Sequence, residues 1–225
     1  MENKKKYYLF QMNGNTLTIM SLILMFLGFI LIGVFKHFEL LHEGPKDYMI
    51  AMLLLVPYFC FHEVLHSISY VIHGADFKNI TYGAHLEKGV LCCLCKQNVS
   101  KRNILTSLLY PFFFIGICTL IIGLILDSYP LVLLSLLNIA GCSGDLIMFF
   151  GLLKIKDYEY SEYDDPTSFG LYTSQNLENH KMFGLKYVGT KDNLVKKDFR
   201  KFDINALSAW VLIGLVVLSA ICLVI

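Results

Sequence analysis

The sequence predicts an all-α membrane protein of about five transmembrane helices, with a small strand-containing cytoplasmic excursion. Three observations carry this expectation. Of the 225 residues, 56% are apolar, against about 45–50% in soluble domains. The excess is concentrated, because residues 17–35, 104–126 and 206–225 each run without a charge. Runs of about 20 such residues match the hydrocarbon thickness of a bilayer. The basic residues, finally, are divided very unequally between the segments that connect the apolar runs.

Taken in order, the first span is expected at 17–35, after a polar start that includes Lys4, Lys5 and Lys6. That start invites a signal-peptide reading. The apolar run is too long for one and no small-x-small cleavage site follows it, so a retained anchor is expected. The second span, 48–73, carries charged residues within it. Residues 74–103 then form a cytoplasmic excursion with Gly74, Gly83 and Gly89, and Val90 to Cys95 reads as a short apolar strand. Lys101, Arg102 and Asn103 mark the return to the membrane. The third span, 104–126, has Pro111 near its start, a kink that neighbouring helices must accommodate.

The fourth span is expected at 129–153, with Pro130 in its first turn, where a missing N–H is harmless. It holds Ala140, Gly141, Cys142, Ser143 and Gly144 in succession, small residues that let another helix approach closely in lipid. Residues 154–204 form a second cytoplasmic segment, with a turn at Asp164-Asp165-Pro166 and a strand over Phe169 to Thr173. Its aromatic content argues against disorder. The fifth span is 206–225, and residues 1–225 form one membrane domain without an internal repeat.

Seventeen of the 19 basic residues fall on one side of this arrangement, leaving only Lys36 and Lys46 on the other. Basic residues favour the cytoplasmic side. The expected topology places the N-terminus in the cytoplasm, both larger loops there too, and the C-terminus outside. A net charge of +1 gives no reason to expect a nucleic-acid partner. Of the seven cysteines, Cys60, Cys118, Cys142 and Cys222 lie in spans, while Cys92, Cys93 and Cys95 lie in a reducing compartment. The last three lack the second Cys/His pair of a structural zinc site and read as part of a buried apolar strand.

The chemistry is concentrated in His62-Glu63-Val64-Leu65-His66, an H-E-x-x-H pattern. Residues four apart share one face of a helix, so the two imidazoles can bind one zinc ion with Glu63 beside its water. Glu63 and Asp145 are the only acids within the expected spans. A carboxylate at span centre costs about 2.5–3.5 kcal/mol on insertion scales, and a shared divalent cation offsets that. His62, His66 and Asp145 are thus the expected metal ligands, which leaves a fourth position open for water. Iron or cobalt also suits two histidines and a carboxylate. Plainer readings are a proton or ion path, or hydrogen bonds that only fix helix packing. Cys142, three residues before Asp145, is expected as a neighbour rather than a ligand.

Glu63 is the expected catalytic base, accepting a proton as water attacks a peptide carbonyl and passing it to the leaving nitrogen. Asn138 lies seven residues before Asp145 on the same helical face. It is read as a catalytic donor to an oxyanion, with a helix–helix hydrogen bond as the plainer alternative. His66 lies seven residues before His73, or about 10 Å along a helix, so the site is expected below the cytoplasmic surface. A substrate helix must unwind before it is cut. Residues 89–98 are the expected edge for holding the unwound stretch by main-chain pairing.

This pattern resembles the site-2-protease group of intramembrane metalloproteases. More closely, the chain resembles the zincin peptidase family of small prokaryotic membrane proteins. The likeness rests on His62-Glu63-Val64-Leu65-His66, Pro111, the segment from Asn138 to Asp145, and Asp165-Pro166 through Gly170. It spans roughly residues 50–170. The site-2-protease pattern usually has a proline between the asparagine and the aspartate and a glycine after the aspartate. Here no proline lies between Asn138 and Asp145, and Leu146 follows the latter. The resemblance implies a zinc endopeptidase of a bacterial cytoplasmic membrane, acting on a membrane protein or peptide. The alternative from another class is a non-catalytic membrane protein whose metal or proton site serves transport or regulation.

Overall fold

The computed structural model describes residues 5–85, 90–162 and 167–190. Strand β1 (Lys6–Met12) leads into helix α1 (Gly14–His37), and α2 (Pro45–Ile72) follows. A hairpin of β2 (Ile80–His85) and β3 (Val90–Cys95) comes next, then the short β4 (Val99–Ser100). Helix α3 (Lys101–Pro111) continues through a π-helical stretch, Phe112–Cys118, into α4 (Thr119–Ile125). Helices α5 (Tyr129–Gly141) and α6 (Ser143–Leu153) precede β5 (Glu159–Glu162), β6 (Ser168–Thr173) and β7 (Leu185–Thr190).

The helix starts follow local chemistry. The Asn13 side chain accepts from Asn15 and Thr16 N–H and caps α1, filling donors that the first turn leaves free. Pro45 opens α2, where Asp47 accepts the Gly44 N–H at 2.6 Å. Ser100 caps α3. Helix α1 leaves Phe26 and Phe29 more than half exposed, as an apolar surface turned toward lipid does.

Two expectations require correction. The protein is not all-α. Strands β4-β5-β6-β1-β7 form a five-stranded antiparallel sheet, with Tyr8 opposite Leu171 and Val99 opposite Tyr160. Nor does it show five spans. Among the described residues three helices are long and apolar enough to cross a membrane, Gly14–His37, Pro45–Ile72 and Lys101–Ile125. A fourth arises only if α5 and α6, bent by 44°, count together. The expected fifth span, 206–225, lies outside the described residues.

Both corrections have physical causes. In β1 the three consecutive residues Tyr8, Leu9 and Phe10 are buried. A strand covered on both faces loses the apolar–polar alternation that announces strands. The expected helix 129–153 breaks at Cys142, whose ψ of 4° departs from helical geometry, within the run of small residues.

The sheet packs on one end of the helices. Phe169 lies 6.0 Å from Phe10 and 5.6 Å from Tyr160 between ring centroids. The same buried cluster takes in Tyr70 of α2, Ile104 of α3 and Leu152 of α6. At the other end, Ile32, Leu41, Tyr129, Val132 and Leu136 form a second cluster. Strand β3 lies against α2, and the Tyr82 hydroxyl donates to Ser67 Oγ of that helix at 2.6 Å. The hairpin is thereby tied to the last turns of α2.

Candidate metal centre

His62 and His66 stand one turn apart on the buried face of α2, with ring centroids 4.9 Å apart. Asp145 reaches them from the first turn of α6, where the free N–H groups of a helix start favour a carboxylate. The break at Cys142 sets this position. It ends α5 and opens a new helix three residues before the aspartate.

One ligand atom from each of the three residues falls within a group no wider than 4.8 Å. The two Nε2 atoms are 3.2 Å apart, and Asp145 Oδ2 lies 3.2 Å from His62 Nε2 and 3.5 Å from His66 Nε2. Donors about 2.0–2.1 Å from a tetrahedral zinc ion stand roughly 3.3–3.4 Å from one another. The triangle has the right size.

The far side of each ring decides what the near side offers. His62 Nδ1 lies 2.8 Å from Asn138 Oδ1, and His66 Nδ1 lies 3.0 Å from the Ser107 carbonyl oxygen. Asn138 Nδ2 donates to the Pro111 carbonyl at 3.2 Å, which orients the amide so that its oxygen faces His62. Both Nδ1 partners are acceptors, so both Nδ1 atoms carry the hydrogen. In neutral rings, both Nε2 atoms are then bare lone pairs. Asp145 Oδ2 is buried and has no hydrogen-bond partner; its short distances to the imidazoles are not aligned for hydrogen bonding. Two nitrogen lone pairs and a carboxylate oxygen therefore face one point. That donor set fits a divalent zinc ion.

Glu63 borders a cavity of about 220 Å³ and a second of about 380 Å³. Cys93 of β3 borders the first of these together with Glu63. The first cavity also touches His62, His66, Asp145, Leu91 and Tyr160. The second is largely apolar, with Leu55, Val56 and Phe59 beside His62.

Asn138 is brought to the centre but not to the cavity. It is fully buried behind His62, with its oxygen toward that ring and its nitrogen toward Pro111. This geometry corresponds to the helix–helix hydrogen bond and not to the expected oxyanion donor. Cys142 Sγ lies 4.0 Å from His62 Nδ1, on the side away from Asp145, in keeping with a neighbour. His73 donates from Nδ1 to the Ser69 carbonyl at 2.7 Å, and it stands outside the three-residue group. Cys93 and Cys95 are buried in β3.

Two contributors escape sequence reasoning. The Ser107 carbonyl is a backbone group with no residue-type signature. Tyr82, opposite Cys93 in the hairpin, ties β2 to α2. Burial pushes its hydroxyl up to about 12, while the Ser67 hydrogen bond acts in the opposite direction.

The family model described as "putative zincin peptidase" matches residues 52–160. No match is found among curated proteins or among solved structures. The matched stretch carries His62, Glu63, His66, Asn138 and Asp145. Over that stretch the chain is similar to the putative zincin peptidase family, whose description points to a zinc metallopeptidase.

Proposed function

We propose that this protein is an intramembrane zinc endopeptidase that hydrolyses peptide bonds of membrane-anchored substrates near the cytoplasmic face. The convergence of His62 Nε2, His66 Nε2 and the unpartnered Asp145 Oδ2 beside Glu63 is the observation that carries this reading. His62, His66 and Asp145 would hold the ion, which when bound acidifies a water and polarises a carbonyl. Glu63 accepts a proton as the water oxygen bonds to the peptide carbon. It returns that proton to the nitrogen as the carbon–nitrogen bond breaks. Asn138 and the Ser107 carbonyl keep the imidazoles in the tautomer that binding requires.

Three features support a membrane-anchored substrate. The site lies on α2, a helix of spanning length. The 380 Å³ cavity beside Glu63 is lined mainly by apolar side chains of the same helix. Strand β3 pairs with β2 on one edge, and its residues Leu91, Cys92, Cys93 and Leu94 border the other cavity. An unwound substrate segment laid along that strand would present its carbonyl to Glu63. The bias of basic residues supports a cytoplasmic position for the sheet and hairpin at a cell membrane.

The test uses detergent-purified protein, a panel of single-span model peptides, and the Glu63→Gln variant. The wild type should carry about one zinc per chain and cleave within or beside the apolar segment. Glu63→Gln should keep the zinc and lose cleavage by about 10²-fold or more. Cleavage retained by Glu63→Gln would remove Glu63 as the base. A wild type that takes up no zinc would remove the metallopeptidase reading.

A further inference from the structure

The two metal-facing imidazoles trace back to a single residue of α3. In an α-helix the N–H of residue i donates to the carbonyl of residue i−4, so the natural partner of the Ser107 carbonyl is the N–H of residue 111. That residue is proline, which has no N–H. The next N–H in the chain, from Phe112, goes to the Leu109 carbonyl instead. His66 Nδ1 lies 3.0 Å from the Ser107 oxygen that proline leaves open.

The carbonyl of the same proline faces the other way. Asn138 Nδ2 donates to it at 3.2 Å, and Asn138 Oδ1 in turn holds His62 Nδ1 at 2.8 Å. The helix turns π-helical directly after Pro111, and a carbonyl has a second lone pair to give. Gly116, in the π-helical stretch, lets α5 come this close. A Cβ built there would lie 2.9 Å from Ile139 Cγ1 and 3.7 Å from Asn138 Nδ2.

We infer that Pro111 is a positioning residue for the metal centre: its missing N–H reserves the Ser107 carbonyl for His66, and its own carbonyl anchors the amide that orients His62. The inference rests on the metal reading of the site. It assigns the proline a task beyond bending a helix, and the two roles predict opposite outcomes. Alanine at a helix-interior position normally strengthens the helix relative to proline. If Pro111 were only a tolerated bend, Pro111→Ala would leave zinc affinity unchanged. Under the positioning role the restored N–H competes for the Ser107 oxygen, and zinc binding weakens although the helix does not.

The experiment measures the zinc dissociation constant by competition with a chromophoric chelator, on detergent-purified full-length protein. It also records the melting temperature of the metal-free form. Wild type, Pro111→Ala, Pro111→Gly and Phe113→Ala are compared. Outer-shell partners of metal-binding histidines typically contribute 10–100-fold in affinity. Pro111→Ala and Pro111→Gly should both lose about 10-fold or more, by similar factors despite their different helix propensities. Phe113→Ala, which trims a half-exposed side chain two residues away, should match wild type. Zinc loss that tracks the metal-free melting temperature, with glycine far worse than alanine, overturns the inference in favour of a structural role. Unchanged affinity in Pro111→Ala overturns it too.

A second measurement does not depend on any Pro111 variant folding. Nitrogen-15 NMR of histidine-labelled, metal-free wild type, assigned with His66→Ala, should show His66 protonated on Nδ1. Protonation on Nε2 overturns the inference. A wild type that binds no zinc removes the metal reading itself, and that failure is distinct from equal zinc affinity across the four proteins.

Discussion

His62 Nε2 and His66 Nε2 lie 3.2 Å apart while the opposite nitrogen of each ring is turned to an acceptor. With Asp145 Oδ2 on the same point, the metal-free centre holds three electron-rich atoms against one another. Such an arrangement is strained until a cation neutralises it.

Zinc should therefore stabilise the fold. At free zinc about 100 times the dissociation constant the gain is about 2.7 kcal/mol by mass action. A chelator-treated sample should melt at a lower temperature and recover on adding zinc. Asp145→Asn removes the only charged ligand and should abolish the recovery. An equal zinc-dependent rise in that variant would place the third ligand elsewhere.

Gly116→Val should lower stability by about 1–3 kcal/mol, the usual penalty for overpacking. The added Cβ meets the Ile139 side chain at 2.9 Å, and relieving the contact by moving α5 away from the π-helical stretch is the route that also affects the metal centre. Denaturation in mixed micelles measures the change. The same displacement draws Asn138 from Pro111, so zinc affinity should fall as well.

Tyr82 supplies a pH signature outside the helical layer. Its hydroxyl, held up to about 12 by burial, keeps its proton in the folded protein over a range where the unfolded chain, ionising near pH 10, has lost it. The unfolded state then binds fewer protons, and stability falls as pH rises between about 10 and 12. Below pH 10 the contribution is fully present. Tyr82→Phe should flatten this alkaline loss in a stability–pH profile. It should also lower neutral-pH stability by about 0.5–1.5 kcal/mol for the lost hydrogen bond to Ser67. An identical alkaline slope in wild type and variant would assign the loss to other tyrosines.

The chemistry of the centre was more legible in the sequence than the scaffold around it. His62, Glu63 and His66 announce themselves because a helix turns their spacing into a shared face. Asp145 stands out because charge is costly in an apolar run. The strand at Val90–Cys95 and most of β6 also showed, as short apolar stretches between turn residues. Strand β1 did not, because Tyr8 to Phe10 are buried on both faces and their partners lie about 160 residues away. The break at Cys142 was hidden by residues equally suited to close helix packing. The group that orients His66 is a main-chain oxygen, and only the proline four residues later hints at it. Asn138 was noticed for its position, but its amide points into the helix layer and away from the cavity.

The five-stranded sheet also carries an arithmetic consequence. Strands hydrogen-bonded into one open sheet share one aqueous compartment, since an unpaired edge is not tolerated in hydrocarbon. Strand β1 precedes α1, β4 separates α2 from α3, and β5 follows α6. The chain must therefore traverse the bilayer an even number of times between any two of them. If each helix of spanning length crosses once, α1 and α2 supply two passages and Lys101–Ile125 supplies one. Parity then requires α5 and α6 to make a single full passage, since a pair that dipped in and returned would leave the count odd. On that count the break that delivers Asp145 to the histidines sits inside a fourth span, the upper of the two numbers that helix length and composition allow.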